Sequence, residues 1–224
     1  MGSFSLILKF FLLAFSALLP VINPLGSALI LLGVAGNAPA PVFRKLAFKI
    51  AIRTTLFLII VELVGTAVLK FFGISLPVVQ VAGGLVLATI GWTLLNQAEP
   101  QTSPDQAQVV EVSFESLQEK VFYPLTFPLT AGPGCIVVML TLSAQATSPV
   151  LFDEFMTHLG VFLAVVILSL IVFVSYGYAP KITEHISPQT AHGILRVISF
   201  VLLCIGVQIT WNGVSALLRT LLKT

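Results

Sequence analysis

Long apolar runs separated by short polar breaks cover most of this chain. Each run is long enough to cross a bilayer, which takes about 20 mostly apolar residues in a helix. The runs lie near residues 5–34, 46–70, 75–96, 121–145, 155–178 and 193–221. The pattern predicts an all-α, polytopic membrane protein with six transmembrane helices.

A long polar stretch, residues 96–120, lies between the third and fourth runs. Its first half is rich in proline, serine and glutamine, which is typical of a flexible linker. Glu111, Glu115 and Glu119 then follow at intervals of four residues, which favours a short solvated helical segment.

Composition and charge agree with a membrane protein. The 224 residues are 57% hydrophobic and 9% charged, whereas a soluble domain carries about 25% charged residues. Lipid must therefore surround most of the molecule. The net charge of +2 comes from scattered basic residues, which argues against nucleic acid as a partner.

Lysine and arginine in the loops predict the orientation, because cytoplasmic loops are enriched in them. The loops after runs one, three and five, with their flanks, hold Arg44, Lys45, Lys49, Arg53, Lys120, Lys181 and Arg196. The opposite side holds Lys9, Lys70, Arg219 and Lys223. We therefore expect cytoplasmic odd-numbered loops and both termini outside.

Comparison of the chain with itself indicates two similar halves. Two prolines four residues apart interrupt the first run (Pro20 and Pro24), and two at the same spacing interrupt the fourth (Pro124 and Pro128). Each half would contain three runs, so the second half would enter the membrane in the opposite sense. Such inverted repeats are typical of secondary transporters.

An Ile-Gly pair supports the same division. Ile90-Gly91 in the third run matches Ile205-Gly206 in the sixth. We predict a single transmembrane domain over 1–224, with repeat 1 over about 1–97, a linker over about 98–119 and repeat 2 over about 120–224.

The prolines and glycines of the first and fourth runs should break their helices. Broken backbone at membrane depth survives only inside protein or beside a water-filled cavity. We expect the two breaks to meet near the bilayer midplane, where half-helix N-termini suit a carboxylate and free carbonyls suit an ammonium group or a cation. The alternative is that the prolines only kink the helices for packing. The predicted substrate-binding residues are Asn23, Pro24, Gly26, Ser27, Thr126, Thr130, Gly132, Gly134 and Arg196.

Two ionisable residues inside the runs are further candidates. Glu62 lies in the middle of the second run, where a charge is costly and marks a functional residue such as a proton carrier. We assign it to ion coupling. Arg196 opens the sixth run, and a structural role stays open beside substrate binding. Cys135 and Cys204 show no metal or disulfide spacing, so we expect no metal and no cofactor.

Four stretches together identify a resemblance. They are NPLG with the apolar run that follows it, FFGISLPVVQVAGGLVLATIGW, PLTFPLTAGPG and CIGVQITWNG. The chain from Leu19 to Gly213 resembles the MarC family of bacterial and archaeal membrane proteins, also called the six-span neutral amino acid transporter family. The resemblance implies six spans in a bacterial inner (cytoplasmic) membrane and transport of neutral amino acids.

The chain departs from the family pattern at two positions. Many members look to have aspartate where this chain has Asn23, and an arginine where it has Gln80. Arg196, the counterpart of Gln80 in the sixth run, is kept. These departures leave the coupling ion open.

We therefore expect a secondary transporter, not an enzyme, that moves small zwitterions by alternating access. Its expected partners are a small zwitterionic substrate, a proton or a sodium ion, and the lipid bilayer; the oligomeric state stays open. One alternative is a membrane thiol oxidoreductase, which needs two cysteines that approach each other. No cysteine stands in the first run to pair with Cys135. A non-transporting scaffold is the other alternative, but it leaves the matched breaks unexplained.

Overall fold

The computed structural model describes residues 3–35, 38–96, 119–146, 148–185 and 188–222. Within these residues the chain is helical and contains no strand. The predicted linker lies outside the described residues up to 118, with Glu111 and Glu115, whereas Glu119 is described and exposed. The helical segments are α1 Ser3–Ile22, α2 Pro24–Ala35, α3 Ala40–Phe71, α4 Leu76–Leu95, α5 Val121–Thr130, α6 Pro133–Ala146, α7 Leu151–Gly177, α8 Ala179–His185 and α9 Pro188–Leu221.

Five helical stretches are long and apolar enough to cross a membrane, and a bent pair makes a sixth span if its two parts are counted together. The bent pair is α5 with α6, whose axes differ by 64°. The five stretches are Ser3–Leu32, Ala40–Phe71, Leu76–Leu95, Leu151–Gly177 and Gly193–Leu221. The prediction of an all-α polytopic membrane protein is confirmed.

Helix α7 forms the centre of the bundle. Half of its most apolar stretch is buried, against 28% or less for each of the other four unbent spans. It packs on α1 and α3 through a stripe of buried side chains that repeats every three or four residues, as expected for one helix face. Because α7 is central, its few polar side chains meet residues from several other helices.

Helices α4 and α9 pack against each other in opposite directions, and glycines allow their backbones to touch. A Cβ placed at Gly91 would lie 2.6 Å from the amide nitrogen of Leu203 and 2.9 Å from the carbonyl oxygen of Ser199. At the other end, a Cβ at Gly213 would lie 2.6 Å from the carbonyl oxygen of Pro77. Small residues at such an interface are the usual means of close helix packing in membranes.

Candidate functional site

The first break is a single residue between α1 and α2. Asn23 has a φ of 47°, in the left-handed region that asparagine tolerates better than most residues. Its Oδ1 accepts a hydrogen bond of 3.1 Å from the amide of Gly26, so the side chain caps the new helix. A Cβ at Gly26 would collide with the Asn23 side chain. The break therefore depends on both residues.

The second break is longer. Tyr123 and Phe127 have extended backbone inside α5, and its hydrogen bonds span five residues, as from the amide of Ala131 to the carbonyl of Thr126 (2.8 Å). The hydroxyl of Thr126 donates to the carbonyl of Val121 at 2.7 Å. The buried threonine hydroxyls thus find acceptors within the segment itself, as membrane interiors require of polar groups.

Each second half-helix begins with a proline. Pro24 is the first residue of α2, and Pro133 is the first residue of α6. Proline suits this position because its missing N–H would have had no partner inside the helix. The two breaks therefore share one design, a distorted segment followed by a proline that restarts the helix.

A buried polar network joins the two breaks. Tyr176 of α7 is fully buried, and its hydroxyl lies 2.8 Å from the Oγ1 of Thr130. The Oγ of Ser27 donates to the carbonyl of Ile22 at 3.2 Å and reaches the carbonyl of Leu129 at 3.5 Å. Tyr176 thus joins α7 to α5, and Ser27 joins α2 to α5.

A cavity of about 590 Å³ lies where the two breaks face α4 and α9. This volume is in the range of small-molecule sites. Much of its lining is apolar, including Leu87 of α4 and Leu195 of α9. Six of the predicted site residues line it: Asn23, Gly26, Ser27, Gly132, Gly134 and Arg196.

Arg196 contributes the charge at this cavity. Its side chain is exposed. Within the described part of the chain, the guanidinium has no hydrogen bond or ion pair. An unpaired cation beside an apolar cavity offers a site for an anionic group, since guanidinium can bind a carboxylate with two parallel hydrogen bonds.

Three predicted site residues are not part of the cavity lining. Pro24 is buried. Thr126 and Thr130 are fully buried, and their hydroxyls donate to carbonyls five residues earlier. In this structure their hydroxyls hydrogen-bond within the second break and do not line the cavity. Gly132 and Gly134, which follow them in the chain, do line it.

Glu62 also lies away from the cavity. Its Oε1 is 3.0 Å from Nδ1 of His158, which belongs to α7. The backbone carbonyl of Glu62 accepts a 2.8 Å hydrogen bond from the hydroxyl of Ser143 in α6. The partnership with His158 could not be read from the sequence, because it depends on which faces of α3 and α7 meet.

The two cysteines do not form a redox pair in this structure. Cys135 is fully buried, with its Sγ 3.8 Å from the carbonyl oxygen of Thr130, whereas Cys204 is exposed on α9; both are unpaired. Thiol–disulfide chemistry needs two sulfurs in reach of each other. The arrangement therefore gives no support to a thiol oxidoreductase.

Comparisons with known proteins agree with the fold. The model of the MarC family of integral membrane proteins matches residues 8–218. A relative from Citrobacter koseri, named UPF0056 inner membrane protein MarC, is 29% identical over 91% of this chain and 93% of its own. A relative of the same name from Escherichia coli O1:K1 is 28% identical with the same coverage. No solved structure is significantly similar.

Both relatives carry the inner membrane in their names, and the apolar helices give this chain the same multi-pass character. The family match covers both breaks, the cavity and the α4–α9 pair. The chain belongs to the MarC family of integral membrane proteins.

Proposed function

We propose that this protein is a secondary transporter of small neutral amino acids or similar zwitterions, and that it is not an enzyme. The observation that carries the proposal is the cavity between the two broken spans. It brings both interruptions of the backbone and the unpaired guanidinium of Arg196 to one volume of about 590 Å³. Packing kinks alone would not require the two interruptions to share a cavity.

The cavity offers groups for both charges of a zwitterion. Arg196 and the first turn of α6, which begins at Pro133, suit a carboxylate, because a helix N-terminus carries a partial positive charge. Asn23 Oδ1 already accepts a hydrogen bond from the backbone amide of Gly26. An amide oxygen has two lone pairs, so it can also accept a hydrogen bond from an ammonium group. The apolar remainder of the lining suits a small aliphatic side chain.

Alternating access is supported by the local symmetry of α4 and α9. Gly206 repeats the contacts of Gly91: its Cβ would meet the amide of Ala88 and lie 2.8 Å from the carbonyl oxygen of Gly84. Gly206, Ala88 and Gly84 each lie 115 positions from Gly91, Leu203 and Ser199, respectively. Such a pairing is what an inverted repeat would produce at its central interface.

The cavity is one-sided, as a transporter in one of its two states should be. Its lining on α4 extends to Leu94 and on α9 to Leu195, that is, to the end where α4 stops and α9 begins. In the orientation that the charge distribution favours, with both termini outside, this end faces the cytoplasm.

The test is uptake of labelled glycine, alanine and serine into proteoliposomes, with and without proton or sodium gradients. Gly132→Ala should abolish the flux, because its Cβ would lie 2.7 Å from the carbonyl oxygen of Pro128 and displace the second break. Gly193→Ala is the matched control, since a Cβ there meets nothing within 4 Å. Uptake by Gly132→Ala at the rate of Gly193→Ala, or no uptake by the wild type, would refute the proposal.

A further inference from the structure

Three ionisable side chains form a line from the start of α7 to the interior of α3. Glu62 Oε1 lies 3.0 Å from His158 Nδ1. The other ring nitrogen, Nε2, lies 3.9 Å from Glu154 Oε1, within ion-pair range but too long for a hydrogen bond. The imidazole therefore stands between two carboxylates, one on each side.

Exposure decreases along this line. The side chain of Glu154 is 31% exposed and that of His158 27%, whereas that of Glu62 is 4% exposed. Glu154 belongs to the first turn of α7, and Glu62 lies about 13 Å before the end of α3 at 1.5 Å per residue. The line thus leads from the end of a span to a buried carboxyl group.

The other charged groups around the line are few. Helix α6 packs on α3 and contains no charged residue; it contributes the hydroxyl of Ser143 to the Glu62 carbonyl. In α7 the neighbouring acid is Asp153. In α1 the charge near this end is the exposed Lys9, whose ammonium lies over the Phe10 ring, and in α3 it is Lys70 in the last turn.

Imidazole between two carboxylates is suited to moving a proton. A neutral ring can donate through one nitrogen only, and both nitrogens donate in the imidazolium form. When the imidazolium gives its Nδ1 proton to Glu62, the carboxyl becomes neutral and the ring becomes a neutral Nε2–H tautomer. On release, Glu62 returns its proton to Nδ1 and the Nε2 proton leaves to water on the Glu154 side, so that the neutral Nδ1–H ring can take up the next proton at Nε2. Each step moves one proton and leaves no bond incomplete.

A sodium ion fits this place less well. Hard cations prefer several oxygen ligands, whereas a ring nitrogen faces Glu62. Among the described residues there is no group of three acidic, histidine or cysteine side chains with the geometry to hold a metal ion.

We propose that Glu62, His158 and Glu154 form a proton-binding site with an entry path at the Glu154 end, and that H⁺ is the ion coupled to transport. The coupling part rests on the proposed transport function. The proton-binding part does not, since it concerns residues remote from the cavity. Glu62 carries the proton, His158 transfers it, and Glu154 holds the ring and collects protons from water.

Infrared difference spectra of the reconstituted protein between alkaline and acidic pH, without substrate, test the binding site. The wild type should show the high-frequency C=O band of a carboxyl group shielded from water. Glu62→Gln should lose this band, and Glu62→Asp should keep one. Asp153→Asn, which changes the acid next to Glu154, should also keep it. Persistence of the band in Glu62→Gln would overturn the proposal.

Transport measurements test the coupling. Proton-driven accumulation by Glu62→Gln should fall roughly 5- to 150-fold, the usual range for lost coupling between two ligands, while exchange of labelled for unlabelled substrate continues. Equal accumulation by wild type and Glu62→Gln, or accumulation driven by sodium alone, would overturn the coupling. A Glu62-dependent infrared band in a protein that transports no amino acid would support the proton site and refute the proposed function instead.

Discussion

The two ends of the α4–α9 pair differ although the same two helices form both. At one end α9 presents Arg196 beside α2, and the cavity lies between them. At the other end α4 presents Gln80 to α6, and the Nε2 of Gln80 donates to Thr141 Oγ1 at 3.4 Å. A Cβ at Gly83 in this second region would collide with the side chain of Val137. We call these the open end and the closed end.

The comparison indicates that one side chain at each end, charged Arg196 or neutral Gln80, is enough to decide whether another helix can pack over that end. A guanidinium without a partner is costly to enclose in hydrocarbon, so Arg196 keeps access to water or headgroups. Gln80 is neutral, and one threonine satisfies part of its amide, so α6 can pack over it. The neutral Gln80 at one end and the charged Arg196 at the other therefore favour a structure that opens at the Arg196 end.

We expect the largest effect from giving the open end a neutral glutamine, as the closed end has at Gln80. Arg196→Gln removes the cation from the open end, so a substrate carboxylate loses a charge-assisted hydrogen bond worth about 1.5–3 kcal/mol. The apparent affinity should fall roughly 10- to 100-fold, measured as the KM of uptake into proteoliposomes. Arg53→Gln is the control, because Arg53 is exposed on α3 and does not line the cavity. An unchanged KM in Arg196→Gln would show that the cation does not bind substrate.

A smaller effect should separate the two ends in thiol labelling. In a background with Cys135→Ala and Cys204→Ala, and in detergent-solubilised protein where the reagent reaches both ends, Leu195→Cys at the open end should react with a maleimide about tenfold faster than Val137→Cys at the closed end. At the closed end, residue 137 must first move away from Gly83 before its thiol can react. A free-energy cost of about 1.4 kcal/mol for that opening corresponds to a tenfold lower labelling rate. Equal rates would mean that the ends exchange freely and that the difference between them is not energetic.

The network behind the cavity should have an effect of a few-fold. Tyr176→Phe removes the hydroxyl that hydrogen-bonds Thr130, and a neutral hydrogen bond contributes about 1 kcal/mol, or roughly fivefold. We expect a higher KM with a nearly unchanged maximal rate, because Tyr176 positions the second break without lining the cavity. Tyr178→Phe is the control, since Arg44 lies over its ring, which phenylalanine retains. A loss of maximal rate with normal KM would assign Tyr176 to the conformational change instead.

The sequence predicted those features that depend on local backbone chemistry. Asn23 and Pro24 interrupt the first span, and Gly132 and Pro133 interrupt the fourth, because the conformational preferences of such residues act regardless of what surrounds them. Long apolar runs likewise predicted the spans, since only helix length and hydrophobicity are needed. Proline spacing paired Pro24 with Pro128, whereas the prolines that begin the half-helix after each break are Pro24 and Pro133.

Features that depend on which helix faces meet could not be predicted. Thr126 and Thr130 were expected at the site, but the wide turns of α5 direct their hydroxyls to its own carbonyls. The i, i+4 spacing of Glu154 and His158 indicates that they share a helix face, but nothing in the sequence indicates that His158 meets Glu62 or that Tyr176 meets Thr130. The register of α7 against α2, α3 and α5 decides these contacts, and that register is a property of the packed bundle.

The smallest effect is expected from the hydrogen bond that covers the closed end. At 3.4 Å the bond from Gln80 to Thr141 is long, and hydrogen bonds between membrane helices average about 0.6 kcal/mol. Gln80→Leu and Thr141→Val should each lower the free energy of unfolding by about this amount, and the double variant should cost no more than either change alone, because both remove the same contact. Unfolding in mixed micelles measures this cycle, with additive costs as the contradicting result. Additivity would mean that the packing of Gly83 against Val137, and not the amide, keeps this end closed.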